Sequence, residues 1–193
     1  MSIRFPHRRL LVLALALSVL LGSFALADSR KVPVTLQMRL AAKVSSYDRN
    51  MKQRVSGGAH ILVVERGDAQ GKRLAHRVKS SIARTKKFAG THATVELYSY
   101  ENPAALASKI KSSKTAMAYF AGSFEEEAAA IGGELDGTSV LTLSSELSAV
   151  RAGIVLGIGL KSGRPKLYLN LPQAKKQKVQ IAPRLIKLME VYR

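Results

Sequence analysis

The chain has 193 residues, among them 31 Lys and Arg, 13 Asp and Glu, and no cysteine. The absence of cysteine excludes disulfides, thiolate metal ligands, a thiol nucleophile and a lipid-anchored amino terminus. A formal net charge of +18 favours anionic partners, such as lipid headgroups, acidic envelope polymers or an acidic face of another protein.

The first 27 residues have the pattern of a cleavable secretion signal. Arg8 and Arg9 precede an apolar run from Leu10 to Leu21, and Ala25-Leu26-Ala27 provides the small residues that signal peptidase requires. The apolar run is about a dozen residues, shorter than the roughly 20 that cross a bilayer. We therefore predict cleavage after Ala27 and a periplasmic domain of residues 28–193. Retention as a membrane anchor is the alternative, and export argues against a nucleic-acid partner.

Charge is distributed unevenly along the predicted mature chain. Cleavage removes three arginines and no acid, which lowers the formal charge from +18 to +15. The stretch from Thr115 to Val150 contains no Lys or Arg. Its six acidic residues are Glu125, Glu126, Glu127, Glu134, Asp136 and Glu146. This asymmetry predicts an oriented interaction surface unless the fold interleaves the two kinds of segment.

The first part of the predicted domain alternates helix and strand. A helix is predicted after Pro33, and the apolar run from His60 to Val64 is typical of a central strand in a mostly parallel sheet. Asp68 then caps a predicted helix that continues to about Lys87. The predicted buried positions are Leu36, Leu40, Val44 and Tyr47 in the first helix and Leu74, Val78 and Ile82 in the second.

Two further strand and helix units follow. In chain order we predict a strand at Ala93–Tyr100, a helix from Pro103 through Lys111, a strand at Thr115–Ala121 and a helix from Phe124 to Ile131. Asn102 and Ser123 are the predicted N-caps of the two helices. The second helix is acidic in its first turn and is predicted to end at Gly132-Gly133.

The last part adds a strand, a hairpin and two helices. In chain order we predict strands at Ser139–Leu143, Gly153–Lys161 and Pro165–Leu169, a helix at Leu171–Lys176 and a last helix from about Pro183. The turn Ser162-Gly163-Arg164 is typical of a hairpin. Leu185, Leu188, Met189 and Tyr192 are predicted to share one face of the last helix. The whole pattern predicts a single three-layer α/β sandwich, whose mostly parallel sheet ends in an antiparallel hairpin.

Three patterns with catalytic or binding precedent are weak in this sequence. The stretch from Gly67 to Arg73 resembles a phosphate loop, but it has one residue too few between its glycines, so an ordinary helix start is favoured. An anion bound at that helix start stays open. Ser108 to Lys111 matches Ser-x-x-Lys without the accompanying Lys-Thr-Gly. His60, His76 and His92 lack metal-site spacing. We therefore predict no catalytic, metal or cofactor site.

Four segments in the last third of the chain carry a family pattern. They are Val140–Ser144, Gly153–Leu156, Lys161–Lys175 and Val179–Leu188. Their order and spacing resemble the YfiR-like family of periplasmic proteins. Its members show a Val-Leu-Thr-Val-Ser strand, a Gly-led hairpin, an Ile-Asn-Leu segment and a terminal Leu-Leu helix. The strand and helix start from Ile61 to Leu74 is also similar to this family.

The resemblance implies a periplasmic regulator without catalytic activity. Such a protein restrains an inner-membrane diguanylate cyclase by binding its periplasmic part, so that cyclic-di-GMP output responds to envelope conditions. Family members often carry cysteines linked to redox control, and this chain has none. Leu169 also stands where isoleucine usually precedes Asn170. Redox sensing is therefore not implied here.

We interpret Asn170, Leu171 and Leu185 as structural positions of the family pattern. A short amide at Asn170 can satisfy both a backbone donor and a backbone acceptor where a strand turns into a helix. These three positions are therefore predicted to support the fold rather than to bind a partner.

The predicted partner-binding residues are Arg73, Arg77 and Arg84 on the long helix and Arg184 on the last one. With export, the charge asymmetry and the resemblance, they predict a periplasmic regulator of a membrane signalling protein, either a diguanylate cyclase or a sensor kinase. An anionic envelope surface and a second copy of the chain are further predicted contacts. The alternatives are a small-ligand-binding envelope protein resembling one lobe of a solute receptor, and a hydrolase that uses Ser108 and Lys111.

Overall fold

A computed structural model describes residues 31–193, and Val32–Arg193 form one compact unit. The predicted secretion signal, residues 1–27, lies outside the described residues. No helix in the described part is long and apolar enough to cross a membrane. In chain order the elements are α1 Val34–Ser45, α2 Met51–Arg54, β1 Ala59–Glu65, α3 Ala69–Thr85, β2 Lys87–Phe88, β3 Thr91–Ser99, α4 Pro103–Ser112, β4 Met117–Ala121, α5 Ala128–Glu134, β5 Leu141–Ser144, α6 Leu147–Ala152, β6 Leu156–Lys161, β7 Arg164–Asn170, α7 Leu171–Lys176, α8 Pro183–Ile186 and β8 Glu190–Tyr192.

Eight strands form one sheet in the order β2-β3-β1-β4-β5-β6-β7-β8. The strands from β3 to β6 in this order are parallel, and β2 is antiparallel to β3 at one edge. Towards the other edge, β6 and β7 form an antiparallel hairpin, and β8 pairs in parallel with β7. The predicted α/β fold with a mostly parallel sheet is confirmed. The sheet continues one strand beyond the predicted hairpin.

Apolar cores cover both faces of the sheet. Helices α1 and α3 pack on one face through residues such as Met38 and Ile82. Helices α4, α5 and α6 pack on the other face, through residues such as Leu106, Ile131 and Val150. Alternate residues of β1 and β4 contribute to each core, which explains why their sequences are continuous apolar runs.

The buried face of α1 differs from the predicted one. Leu36 and Leu40 are only half-buried, whereas Gln37 is buried. The Tyr119 hydroxyl in β4 donates to Gln37 Oε1 at 2.8 Å, and Gln37 Nε2 donates to the Val32 carbonyl at 2.6 Å. These buried hydrogen bonds turn Gln37 toward the sheet and move the predicted leucine stripe to the margin of the core.

The acidic helix begins later than predicted. Phe124 is fully buried, with its ring centroid 5.1 Å from that of Phe120, and the chain forms a turn before α5 begins at Ala128. The predicted Ser123 cap is therefore wrong. Gly132 does not end the helix but lies inside α5, where an added Cβ would come within 3.1 Å of the Gly153 carbonyl. Packing of a buried aromatic ring and a close helix approach override the capping pattern.

The last predicted helix is shorter than predicted and gives way to a turn and a short strand. Helix α8 has only four residues and is followed by β8. Leu188, predicted to face the core, is 67% exposed, whereas Met189 is buried. The Tyr192 ring stacks on the Tyr168 ring at 6.1 Å. Pairing with β7 and this ring contact favour an extended chain over the predicted helix.

Asn170 joins three elements, and its replacement is expected to be costly. Its Oδ1 accepts from the Gln173 amide at 3.0 Å, and its Nδ2 donates to the Val150 carbonyl at 2.8 Å. Asn170→Ala removes a helix cap and the partner of a buried carbonyl, so we expect the free energy of unfolding to fall by about 2–4 kcal/mol. The control is Asn102→Ala, because exposed Asn102 only caps α4, through the Ala105 amide at 2.8 Å. The control should cost about 1 kcal/mol, and equal losses in urea unfolding would contradict the role of the buried amide.

Tyr119 makes stability sensitive to alkaline pH. Burial raises the pKa of Tyr119 from 10.0 to about 12. Because the folded pKa lies above the unfolded one, the contribution of the neutral phenol is complete below pH 10 and is lost between about pH 10 and 12. Urea unfolding at a series of pH values should therefore show a steeper loss above pH 10 for the wild type than for Tyr119→Phe. Parallel pH profiles of the two proteins would exclude this tyrosine as the source.

Candidate functional site

Helix α3 starts at the N-cap Asp68, as predicted. The Asp68 carboxylate accepts from the Gln70 amide at 2.8 Å and from the Gly71 amide at 2.7 Å. The hydrogen bond from Gly71 is the main reason that the pKa of Asp68 lies below its usual value. Because the protein's own carboxylate occupies these amides, the stretch from Gly67 to Arg73 is an ordinary capped helix start, and an anion there would compete with a negative charge.

Helix α3 presents a row of arginines to solvent. Its buried stripe, which includes Ala75 and Val78, fixes the rotation of the helix against the sheet. Arg73, Arg77 and Arg84 are four and seven residues apart, so they share one side of the helix, and all three are exposed. The structure thus brings together three of the four residues predicted to bind a partner.

A groove of about 360 Å³ lies between α1 and the end of α3. Its lining includes the apolar side chains Met38, Ala42, Ile82 and Phe88 and the cations Arg39, Arg84 and Lys87. The arginine row on α3 therefore ends beside a partly apolar depression with cations around it. Such a surface can accept an apolar side chain of a partner whose surroundings are acidic.

Arg184, the fourth predicted residue, lies at the other end of α1. Its guanidinium is 4.9 Å from the centre of the Tyr47 ring, and the Lys43 ammonium is 5.4 Å from the same ring. We call the surface formed by Arg39, Lys43, Arg73, Arg77, Arg84 and Arg184 the basic face. Sequence reasoning missed the two cations of α1, because only the fold places Arg39 beside Arg84 in the groove and brings Lys43 to the same Tyr47 ring as Arg184.

The basic face has little opposing charge. Helices α1 and α3 contain no Asp or Glu. Within residues 31–193, none of the six cations of the basic face forms an ion pair with a carboxylate. These charges are therefore available to an external anionic surface.

The acidic stretch lies mainly in the opposite helical layer. Helix α5 packs on the other sheet face from α1 and α3, and Glu125 and Glu126 before it are exposed. Glu127 pairs with Arg66 at 2.6 Å, and Asp136 with Lys176 at 3.2 Å. The helices α1 and α3 thus carry no acid, whereas the other layer mixes the two signs, because Glu127 and Asp136 pair with cations there and α4 beside α5 carries lysines.

The crevice between β1 and β4 is bridged by the protein itself. After β1 the chain adds β3 on one side of it and then β4 and β5 on the other, so the strand order changes direction between β1 and β4. Open α/β sheets commonly bind ligands at such a point, beside the carboxyl ends of the strands. Arg66 after β1 donates to the Ser123 carbonyl after β4 at 2.7 Å and pairs with Glu127. Its guanidinium also lies 5.6 Å from the centre of the Phe124 ring. The protein's own side chains thus bridge the strand ends at which open α/β sheets commonly bind ligands.

The Ser-x-x-Lys pattern does not form a catalytic arrangement. Ser108 is exposed on α4, and the Lys111 ammonium lies 3.4 Å from the Glu134 carbonyl. His60 lies between Glu96, at 3.3 Å, and Thr115, at 3.2 Å. In the part of the chain that the structure describes, no group of three His, Asp or Glu side chains is placed to hold a metal ion.

The two leucines of the family pattern lie on the side of the sheet that α1 and α3 cover. Leu171 begins α7 and Leu185 lies in α8, and both are half-buried against that core. Asn170 precedes α7, caps it and bonds to the Val150 carbonyl. None of the three belongs to the basic face.

Several solved structures share this fold. A conserved domain protein from Vibrio cholerae is 14% identical, with a TM-score of 0.55, and the match covers 83% of this chain and 60% of that chain. An ABC domain in complex with L-Trp from Streptococcus pneumoniae is 11% identical, with a TM-score of 0.53, and covers 77% and 62% of the two chains. A substrate-binding protein with adhesive properties from Clostridium difficile is 10% identical, with a TM-score of 0.55, and covers 75% and 57%. The chain thus spans about three fifths of each protein, and at these identities the likeness shows the fold alone.

The family comparison matches residues 85–190, more than half of the chain. No curated protein matches the chain. The matched range begins at the end of α3 and includes Asn170, Leu171, Arg184 and Leu185, whereas the arginine row on α3 precedes it. The resemblance found in the sequence is confirmed, and the chain belongs to the YfiR/HmsC-like family.

Proposed function

We propose that residues 28–193 act in the periplasm, after removal of residues 1–27, as a regulator that binds the extracytoplasmic part of a membrane signalling protein. The observation that carries this proposal is the basic face, whose six cations form no ion pair with a carboxylate within residues 31–193. Membership of the YfiR/HmsC-like family supports a regulatory role. A diguanylate cyclase or a sensor kinase is the proposed class of partner.

The basic face defines the chemistry of that partner. Its surface should be acidic opposite Arg73 and Arg77, and it should carry an apolar side chain that enters the groove between α1 and α3. Complementary charge accelerates encounter, while the apolar contact slows dissociation. An acidic surface alone, such as an anionic bilayer, would satisfy the charges but not the groove.

Cross-linking at matched positions in intact cells tests the proposal. A photo-cross-linking residue at exposed Ser80 of α3 should capture a membrane protein with an extracytoplasmic region, which mass spectrometry would identify. The same residue at exposed Ala130 of α5 should not, because α5 lies in the opposite helical layer. Capture of the same membrane protein from both positions, or of none from Ser80, would overturn the assignment of this face.

Charge reversal on α3 should weaken the captured complex. We expect Arg73→Glu, Arg77→Glu and Arg84→Glu together to reduce affinity by at least about tenfold, mainly through slower association, because steering depends on charge. Arg151→Glu with Arg164→Glu is the control, since both residues are exposed away from α1 and α3. Surface plasmon resonance at two salt concentrations measures the effect, and a complex indifferent to the triple change would refute the charge argument.

Two other proposed contacts have simple readouts. If the protein binds vesicles that contain anionic lipid as tightly as it binds the captured membrane protein, an envelope surface is favoured as the target of the basic face. A homodimer is a further proposal, and sedimentation equilibrium of residues 28–193 would detect it.

A further inference from the structure

An open cavity of about 890 Å³ lies at the amino ends of β1, β4 and β5, the sheet edge opposite the bridged crevice. The turn before β1, the α4–β4 connection and the α5–β5 loop form its walls. Apart from Ile110 and three glycines, the lining residues have polar or charged side chains, among them Arg54, Ser56, Lys111, Lys114, Ser139 and Lys178. Its volume is within the roughly 300–1,000 Å³ of small-molecule sites.

One buried guanidinium holds separate walls of the cavity together. Arg54, whose side chain is 3% exposed, donates from Nε to the Ser139 hydroxyl at 2.9 Å and from Nη2 to the Lys178 carbonyl at 2.9 Å. Its Nη1 donates to the buried Asp48 carboxylate. Because these contacts are made within the protein, the cavity is preformed and a ligand need not order its walls on binding.

A line of hydroxyls forms another wall. The Ser113 and Thr115 hydroxyls are 2.9 Å apart, and Thr115 Oγ1 is 3.2 Å from His60 Nδ1. His60 Nε2 in turn lies 3.3 Å from Glu96, which pairs with Lys109 at 2.7 Å. The Ser113 hydroxyl also donates to the Lys109 carbonyl at 2.7 Å, so the network fixes these side chains and leaves the Ser113 oxygen to accept a hydrogen bond from a hydroxylated ligand.

The charge of the lining is positive. Lys111, Lys114 and Lys178 are exposed, and within residues 31–193 none of the three pairs with a carboxylate. The acidic side chain of the lining, Asp136, lies 3.2 Å from Lys176, which is outside the lining. A ligand with negative charge is therefore favoured over a neutral or cationic one.

Lysines near helix ends also have a structural explanation, because they interact favourably with the last carbonyls. Lys114 and Lys178 adopt left-handed backbone at φ 49° and 52°, a conformation in which glycine costs less. Lys86 does the same at the end of α3, far from this cavity. The backbone alone thus does not mark a site. The meeting of Lys111 and Lys114, from the end of α4, with Lys178, from after α7, at one hydroxyl-rich cavity does.

From this convergence we propose that the cavity binds a small phosphorylated solute that carries hydroxyl groups, of the size of a sugar phosphate. The lysine ammonium groups neutralise the phosphate, and the Ser113 and Ser139 region binds the hydroxyls. The site lies at the amino edge of the sheet and shares no residue with the basic face. It stands independently of the proposed partner binding.

Calorimetric titration of the purified protein with glucose 6-phosphate tests this site, with glucose and inorganic phosphate as comparison ligands at constant ionic strength. We expect glucose 6-phosphate to bind at least about tenfold more tightly than either comparison ligand, because only it engages both lysines and hydroxyls. Amide chemical shifts should change at Ser56, Ser113 and Ser139. Equal binding of inorganic phosphate, or shifts confined to α1 and α3, would overturn the proposal.

Matched variants separate a specific site from general attraction to a basic protein. Lys111→Gln with Lys114→Gln should weaken glucose 6-phosphate binding at least about tenfold, whereas Lys72→Gln with Lys79→Gln, which removes the same charge from exposed positions of α3, should leave it unchanged. All four lysines are exposed, so melting temperatures without ligand should agree among the variants. Equal weakening by both pairs would show adventitious attraction only. If glucose 6-phosphate does not bind, the proposed cavity site is refuted, but the cross-linking result at Ser80 and the proposed partner binding are unaffected.

Discussion

Gly153→Ala is expected to destabilise the fold strongly, although it adds only one methyl group. A Cβ at this position would lie 2.2 Å from the Ala128 carbonyl oxygen and 2.9 Å from its carbon. Both atoms belong to the backbone at the start of α5, so no side-chain rotation relieves the contact, and the helix itself must move. Overpacking commonly costs about 1–3 kcal/mol, and a backbone clash belongs at or above the top of that range.

The expected loss is a large part of the total stability. Single domains are stable by about 5–15 kcal/mol, so a loss of about 3 kcal/mol lowers the melting temperature by roughly 10 °C in a domain of this size. Gly133→Ala is the matched control, because it lies in α5 with nothing within 4 Å of an added Cβ. Alanine there should raise stability by up to about 1 kcal/mol. Similar melting temperatures for the two variants would show that the start of α5 does not press against the backbone of Gly153.

The second large effect is expected for Asp48→Ala. The Asp48 carboxylate, almost completely buried, pairs with Arg54 and accepts from the Gln180 amide at 2.9 Å and the Asn50 amide at 3.1 Å. Its removal leaves the buried guanidinium without a counter-charge and two backbone donors without an acceptor. Loss of one partner of a buried pair costs about 3–5 kcal/mol.

A double-mutant cycle tests the origin of that cost. Arg54→Met removes the buried guanidinium that Asp48→Ala leaves without its carboxylate, so the double variant should be less destabilised than the sum of the single ones by about 1–3 kcal/mol. Asp48→Asn keeps an acceptor for the Gln180 amide and should fall between the wild type and Asp48→Ala. Urea unfolding gives all four values, and strict additivity would mean that the ion pair does not couple the two residues.

The elements that sequence reasoning predicted correctly have local causes. The side chains of Asp68 and Asn102 cap their helices by accepting from amides two or three residues further on, so a short stretch of sequence is enough to predict them. The hairpin turn consists of Ser162 and Gly163, both with positive φ, and it joins the antiparallel strands β6 and β7. Strand β1 is predictable because a continuous apolar run is typical of a strand buried on both faces, and β1 is almost entirely buried.

The elements that were predicted incorrectly depend on distant contacts. Gln37 is buried because the Tyr119 hydroxyl, from β4, donates a hydrogen bond to it. The predicted first turn of α5 does not form because Phe124 packs against Phe120 instead. The carboxyl-terminal residues form a strand because β7 is available to pair with them. No local pattern contains this information, since each choice is made by a partner elsewhere in the chain.

The same distinction applies to the two surfaces. The row of Arg73, Arg77 and Arg84 follows from helical spacing and was predicted. The cavity was not predicted, because its walls come from Arg54, Ser139 and Lys178, which only the folded chain brings together. A cluster of side chains that is scattered along the sequence leaves no periodicity to detect.

The hydrogen bonds that join the region of Asp48 to residues 178–180 also bear on the order of folding. The hydrogen bond between Asp48 and Gln180 joins residues that lie 132 positions apart, and the Asn50 side chain reaches the Lys178 carbonyl across 128 positions. A chain that emerges amino terminus first from a ribosome or a translocation channel has both partners only when nearly all of it has appeared. Closing so long a loop is slow compared with forming neighbouring helices and strands. We therefore expect the hydrogen bonds that join Asp48, Asn50 and Arg54 to residues 178–180 to be among the final contacts to form, whereas Asp48 and Arg54, six residues apart, can pair earlier and are buried only when those contacts close.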